Sequence, residues 1–174
     1  IRREIGISEG GLYSRTTIKN SILKLRRLGY FSDVQMSISE INGVKDKLDL
    51  LFEVEETKTG SLSFSISHSN NYGVAIGTGI KEKNIFGTGN TLNADFKIAD
   101  SYKRASFYFE NPFFNENGHS INYGAFLSEI DDDDIMKDSY EVSSKGLNFG
   151  YGVPLTEATR INTNLEYSKN DIKC

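Results

Sequence analysis

Two hydrophobic periodicities divide the chain. Over SRTTIKNSILKLRRLGYF, from Ser14 to Phe31, apolar residues return at helical spacing: Ile18, Ile22 and Leu25 share one face, with Leu28 beside them. Ser14 suits an N-cap, since its hydroxyl can accept a bond from an otherwise unpaired N–H of the first turn. Lys24, Arg26 and Arg27 crowd the last turns, where cations meet the negative end of the helix dipole. Gly29 is placed to end the helix, and Tyr30 and Phe31 are expected to pack under its end. Two alternating segments follow, DVQMSISEI (Asp33–Ile41) and LDLLFEVEE (Leu48–Glu56), joined through an Asn42-Gly43 turn signal. This is the pattern of a helix packed on a short sheet, an α+β module, and it lacks a first strand that would precede Ile1.

After ETKTG the helical period disappears and a period of two takes over. Alternation predicts seven strands: Ser61–Ser69, Gly73–Lys83, Thr91–Asp100, Lys103–Glu110, Ser120–Ile130, Tyr140–Val153 and Thr159–Asp171. The first is the most two-faced, with Leu62, Phe64 and Ile66 on one side and Ser61, Ser63, Ser65 and Ser67 on the other. Phe126 breaks the alternation of the fifth. A sandwich and a barrel both wet one face of each strand, so alternation alone does not separate them. The connections differ between the two ends. NIFGTGN, NPFFNENG and VPLTEAT read as compact turns edged with aromatics, whereas HSNNYG, ADSYKR and EIDDDDIMKDS read as longer polar loops. Such asymmetry is expected of an outer-membrane barrel, and a soluble meander with ordinary hairpins is the alternative. In the barrel reading Phe86, Phe113, Phe114 and Tyr151 form a lower aromatic girdle, and Tyr72, Tyr102 and Tyr140 mark the upper one.

Composition narrows the classes. A net charge of −4 argues against a nucleic-acid partner, which needs a basic footprint. A mean hydropathy of −0.42 would suggest a soluble chain. However, β-barrel strands average out as polar, so neither that value nor the lack of a long apolar run tests the barrel. The single cysteine, Cys174, cannot form an internal disulfide. The chain opens at Ile1 without a methionine or signal peptide, which reads as an internal fragment.

No catalytic constellation is present in the sequence, and no enzyme, metal or cofactor is expected. His68 and His119, the two histidines, read as solvent-exposed polar residues, without cysteine or HExxH-type spacing beside them. No G-x-S-x-G motif stands at a strand-to-helix turn. The acidic run of Glu129 and Asp131–Asp134 lacks the alternation and glycine of a calcium loop, and reads as a solvated loop. A weak divalent-ion contact at a lipopolysaccharide surface is its other reading. Gly87-Thr88-Gly89 lacks the Lys-Ser/Thr of a phosphate loop and reads as a tight hairpin turn.

RREIGISEGGLYSRTTIKNSILKLRRLGYFSDV followed by LDLLFEVEE resembles a POTRA domain, the periplasmic module that precedes an outer-membrane barrel. NIFGTGNTL, ENPFF and YGVPLTE, in this order and spacing, resemble the first barrel strands of the BamA family of outer-membrane assembly factors. The likeness covers essentially the whole chain. Sister branches, such as two-partner-secretion transporters or the translocation-and-assembly homologue, remain open, as does a soluble POTRA-containing binding module.

The resemblance implies a division. Residues 1–56 would be a C-terminal POTRA domain, 57–60 a linker, and 61–174 the N-terminal part of an antiparallel transmembrane β-barrel. It implies an outer-membrane location with the POTRA part in the periplasm. Implied partners are outer-membrane lipids and lipopolysaccharide, unfolded outer-membrane protein clients and accessory assembly lipoproteins. It also implies roles for particular residues. Gly60, Ser61, Leu62, Ser63, Phe64, Ser65, Ile66 and Ser67 would form a lateral seam that pairs with client strands. Glu9 would meet an accessory lipoprotein, and Gly87, Gly89, Asn111, Pro112 and Phe113 would lie in periplasmic turns. The edge of Leu48–Glu55 could accept a passing strand by backbone pairing.

Overall fold

A computed structural model describes residues 1–41, 43–44, 46–70, 73–132, 140–156 and 159–173, with the backbone alone for Asp132 and Tyr140. The expected turn residue Asn42, the upper-girdle residue Tyr72, the side chain of Tyr140, the end of the acidic run (Asp133, Asp134) and Cys174 lie outside this description. The chain divides into two compact units, Ile1–Thr59 and Gly60–Cys174.

The first unit opens with a 3-10 turn at Arg2–Glu4, followed by helix α1 (Arg15–Arg27) and strands β1 (Phe31–Glu40) and β2 (Leu48–Glu56). Ser14 caps α1, its hydroxyl accepting from the Thr17 N–H at 3.4 Å. Gly29 follows the helix with φ of +69°, a conformation that costs glycine little. β1 and β2 pair antiparallel, with Val34 opposite Val54, Met36 opposite Phe52 and Ile38 opposite Leu50. Ile18, Leu25 and Val34 form the buried core between helix and sheet. Burying a side chain such as Leu25 stabilises by about 1.5–3 kcal/mol. The apolar stripe did not reveal Ser21, which is buried as deeply as Ile18. Its hydroxyl donates to the Thr17 carbonyl at 2.8 Å and accepts from the Gly6 N–H at 3.0 Å, so burial leaves neither group unpaired. Arg26 also does more than complement the dipole: its guanidinium donates to the Val34 carbonyl at 3.1 Å, tying the helix end to β1.

The second unit is one antiparallel sheet of seven strands in sequence order. They are β3 (Gly60–Ser69), β4 (Gly73–Ile85), β5 (Asn90–Ile98), β6 (Tyr102–Asn111), β7 (Ser120–Asp132), β8 (Tyr140–Pro154) and β9 (Arg160–Lys173). Consecutive strands pair throughout, so every residue's face is set by register. One face carries Leu62, Phe64, Ile66, Phe96, Phe107, Leu127, Leu147, Phe149 and Leu165, all exposed. Phe109 stacks on Tyr123 across the β6–β7 pair on the same face, ring centroids 5.0 Å apart.

The opposite face is polar and built on glycine. Ser65 lies over Gly77, Asn148 over Gly124, and Asn122 and Asn164 over Gly150. A Cβ on Gly124 would fall 2.7 Å from the Phe107 carbonyl oxygen, a backbone atom that cannot step aside. Phe126, the residue out of pattern in β7, belongs to this polar face. Its ring covers Gly146, and the Arg104 guanidinium lies 5.2 Å from the ring centroid.

The expected loop-length asymmetry is absent from the connections after β3 and β5, and the long polar connection at 133–139 lies outside the described residues. Residues 70–72 and 99–101 separate β3 from β4 and β5 from β6, and the Ala99 N–H bonds the Tyr102 carbonyl at 2.6 Å in a tight turn. The opposite end has spans 86–89, 112–119 and 155–159, no shorter. The polar residues read as loop are taken up by the strands, because backbone pairing continues wherever a partner strand faces it. Phe86, Phe114 and Leu155 are exposed in the three turns of one end, Phe86 almost wholly so and with a positive φ of 52°.

Candidate functional site

The predicted seam is β3. Its ten residues pair with β4 in one unbroken register, from Gly60 opposite Glu82 to Ser69 opposite Gly73. Among the described residues β3 pairs with β4 alone, at one edge of the sheet. Gly60 to His68 are all exposed, Leu62 at 61%, Phe64 at 76% and Ile66 at 80%. The serine side adds little grip: Ser63, Ser65 and Ser67 face Gly79, Gly77 and Ala75, and Ser63 donates to the Gly79 carbonyl at 3.3 Å. On this face small residues meet small residues and specify register only weakly; the other face pairs Leu62 with Ile80 and Ile66 with Ile76, so β3 is held by the backbone ladder and by exposed apolar pairs. Gly60, read as linker from the sequence, is the first residue of the ladder, and the Glu82 carboxylate folds over it.

The turn residues sit where the hairpins close. Asn84 organises the β4–β5 turn, its carbonyl accepting the Gly87 N–H at 2.9 Å and its side-chain oxygen the Gly89 N–H at 2.7 Å. Gly87 and Gly89 have φ of +72° and +78°, so both need the left-handed region. In the β6–β7 turn the Asn111 side chain accepts from the Phe113 N–H at 3.0 Å, across Pro112, and Asn115 accepts from the His119 N–H at 3.1 Å. His119 is half-buried rather than solvent-exposed: its Nδ1 lies 2.6 Å from the Tyr151 hydroxyl, with the two rings edge to face. Arg160 donates to the Gly118 carbonyl at 3.0 Å. These bonds fasten the β6–β7 turn to β8 and β9. Their partners lie 32 and 42 residues away in sequence, so no local motif could announce them. His68, by contrast, is exposed as expected.

Glu9 stands in the loop before α1, beside Gly10, whose φ is +77°. Its carboxylate meets the Arg2 guanidinium at 3.0 Å, both side chains almost fully exposed. An exposed pair of this kind contributes little and is easily exchanged for another partner. Glu9, Arg2, Ile5 and Ile7 line a hollow together with Leu48, Leu50 and Phe52 of β2. On the polar face of the second unit, Tyr108, Glu110, Asn122, Asn148, Arg160 and Glu166 line an open hollow of about 500 Å³. Of the acidic run, Glu129 and Asp131 are exposed on β7, on the side of its apolar residues. Among the described residues no three His, Cys, Asp or Glu side chains are grouped to hold a metal.

Two family models match the chain. The Omp85 superfamily domain covers residues 84–174, and the POTRA model, described as a surface antigen variable number repeat, covers residues 1–57. The outer membrane protein assembly factor BamA of Neisseria meningitidis serogroup B is 28% identical over 95% of this chain, which covers 21% of that protein. The protein of the same name from Buchnera aphidicola is 26% identical over 99% of the chain, corresponding to 28% of its own length. In structure, BamA from Haemophilus ducreyi lacking POTRA domains 1–3 superposes with a TM-score of 0.81 at 22% identity, over 99% of this chain and 33% of that one. CdiB from Acinetobacter baumannii gives 0.61 at 13% identity, over 98% and 34%. The chain thus spans about a fifth to a third of the proteins it matches. Seven antiparallel strands with one exposed apolar face, preceded by a helix-on-sheet unit, fit both family models, and the sheet is open as a piece of a larger barrel would be. The chain belongs to the Omp85 superfamily, an outer-membrane β-barrel protein with a periplasmic POTRA unit before its strands.

Proposed function

We propose that this chain is the POTRA-to-barrel junction of an assembly factor that folds and inserts client β-barrel proteins into the outer membrane, with β3 receiving the client's strand. One observation carries the reading: among the described residues β3 lies at a sheet edge, exposed from Gly60 to His68 and paired with β4 alone. An unpaired strand edge is costly in lipid, where no water satisfies its N–H and C=O groups. Such an edge therefore demands a partner, and backbone pairing accepts many client sequences. The name shared by the relatives from Neisseria and Buchnera supports the same role. No covalent chemistry is required, because a template strand lowers the barrier by offering paired groups in advance.

In this reading residues 1–56 are the last POTRA domain and 57–59 the linker, and the first part of the barrel begins one residue earlier than the sequence suggested, at Gly60. The turns holding Gly87, Gly89, Asn111, Pro112 and Phe113 lie on the periplasmic side, where Phe86 and Phe114 meet the lipid boundary. Glu9 exchanges Arg2 for an arginine of an accessory lipoprotein. The apolar face meets membrane lipid, with lipopolysaccharide in the outer leaflet.

The test locks the seam. In the full-length protein, with Cys174 replaced by serine, a disulfide joining β3 at Ser65 to the barrel's last strand should stop client assembly, and reduction should restore it. Undiminished assembly in the locked form would reduce β3 to an ordinary barrel strand. If depletion of the protein instead stops the secretion of one polypeptide while barrel assembly continues, the chain belongs to a transporter.

A further inference from the structure

The apolar face changes character toward the end of the sheet opposite Phe86. Leu127, Leu147 and Tyr167 close the apolar band on β7, β8 and β9, Tyr167 with 69% of its surface exposed. Two residues further along, Lys145 and Lys169 stand directly opposite each other across the β8–β9 pair. They share the face of Leu147 and Tyr167, so they point outward and not toward the polar face. Directly opposed like charges destabilise a strand pair. Lys169 is shared with Asp171 at 2.9 Å, and Lys173 is engaged by Glu141 at 3.2 Å. Asp171 also feels Lys145 and Lys173, so one carboxylate serves three lysines. Lys145 is exposed and makes no hydrogen bond or ion pair among the described residues. The remaining charges of this face near it are Lys103, opposite Glu129, and Asp131, opposite Glu141.

Position supports a ligand. From Ile161 to Lys169 the strand advances about 27 Å at ~3.4 Å per residue, or roughly 21 Å along the membrane normal at a tilt of ~40°. An outer-membrane barrel's apolar band is about 25 Å tall. The two lysines therefore lie at the boundary where lipid headgroups begin, with an interfacial tyrosine just below them. The other pair of opposed cations among the described residues, Lys97 opposite Arg104, is on the polar face, where Arg104 has the Phe126 ring and water is available.

We propose that Lys145 and Lys169 form an outward-facing site for the phosphate groups of a phosphorylated glycolipid in the leaflet at this end of the barrel. Two adjacent ammonium groups match a phosphate monoester better than they match one another. The acids just beyond them, Glu129, Asp131 and Glu141, suit a headgroup layer that carries divalent cations with its phosphates. The proposal rests on the membrane placement of the sheet and is independent of client pairing by β3.

The experiment uses the full-length protein in phosphatidylcholine nanodiscs containing bis-phosphorylated lipid A, its dephosphorylated form, or phosphatidylglycerol, with bound lipid counted by native mass spectrometry. The K145Q/K169Q variant should bind bis-phosphorylated lipid A about thirty-fold more weakly, from about tenfold per 1.4 kcal/mol and ~1 kcal/mol for each lysine. K145R/K169R should retain binding, and K97Q should leave it unchanged. Heat-modifiable migration on SDS gels reports the folded barrel in each variant, and K145Q alone serves if the double variant fails to fold. Unchanged lipid A binding in the folded variants overturns the site. Equal retention of phosphatidylglycerol or of dephosphorylated lipid overturns the glycolipid assignment. Loss of heat-modifiability in the unaltered protein would instead strike at the membrane placement.

Discussion

At the scale of single residues, polar atoms in half-buried places set much of the local geometry. Ser21 joins α1 to the segment before it through the Gly6 N–H. Replacing it by valine keeps the volume similar but leaves that N–H unpaired, which should destabilise the first unit by about 1–3 kcal/mol in urea unfolding monitored by circular dichroism. Asp33 provides a pH probe. The Gln35 amide foremost, then the Val34 N–H, and more weakly the Arg26 charge, hold its carboxyl below the ordinary carboxylate range. A group lowered on folding stabilises above its unfolded pKa, and that contribution is lost as pH falls through the lower folded value. Carbon-detected NMR titration should show Asp33 titrating below the ordinary carboxylate range, and Gln35→Ala should raise it.

At the scale of elements, the strands of the sheet are unequally held. β7 and β8 each have a paired neighbour on both sides, and the β6–β7 turn is further fastened through His119 and Arg160. Among the described residues β3 has one paired neighbour, and Ser63, Ser65 and Ser67 meet only glycine and alanine there. Amide hydrogen exchange of the full-length barrel in detergent should therefore be fastest in β3 among these strands, with β7 and β8 slower by at least about tenfold. Equal protection across β3 and β8 would mean that the edge is already firmly closed by another strand.

At the scale of the whole molecule, the second unit places its large apolar side chains on an exposed face, and among the described residues only Ala75 and Ala99 of its apolar side chains are buried. Such a sheet has no internal core to stabilise it in water, since an apolar patch of this extent requires a covering. Light scattering of the chain diluted from detergent into plain buffer should show aggregation within minutes, and transfer into lipid should prevent it. A monodisperse monomer in detergent-free buffer would return the sheet to the soluble alternative.

Much of this was legible locally. Helix α1, its Ser14 cap and its Gly29 stop depend on neighbours within a few residues, and the two faces of each strand follow from a period of two. The family likeness lies in the same short-range patterns. Phe126 was legible as an exception, but its partners, Gly146 and Arg104, come from other strands. Connection lengths misled, because where a strand ends depends on how far its neighbour continues to pair. Likewise His119 looked solvent-exposed until β8 brought Tyr151 against it. The sequence by itself determined what each segment becomes and which of its faces is apolar, since propensity, capping and periodicity act between near neighbours. Only tertiary structure decided which residues stand opposite one another: serine over glycine along β3, and lysine facing lysine between β8 and β9. Register joins positions far apart in the chain, and backbone pairing, blind to side-chain identity, leaves no local signature of it.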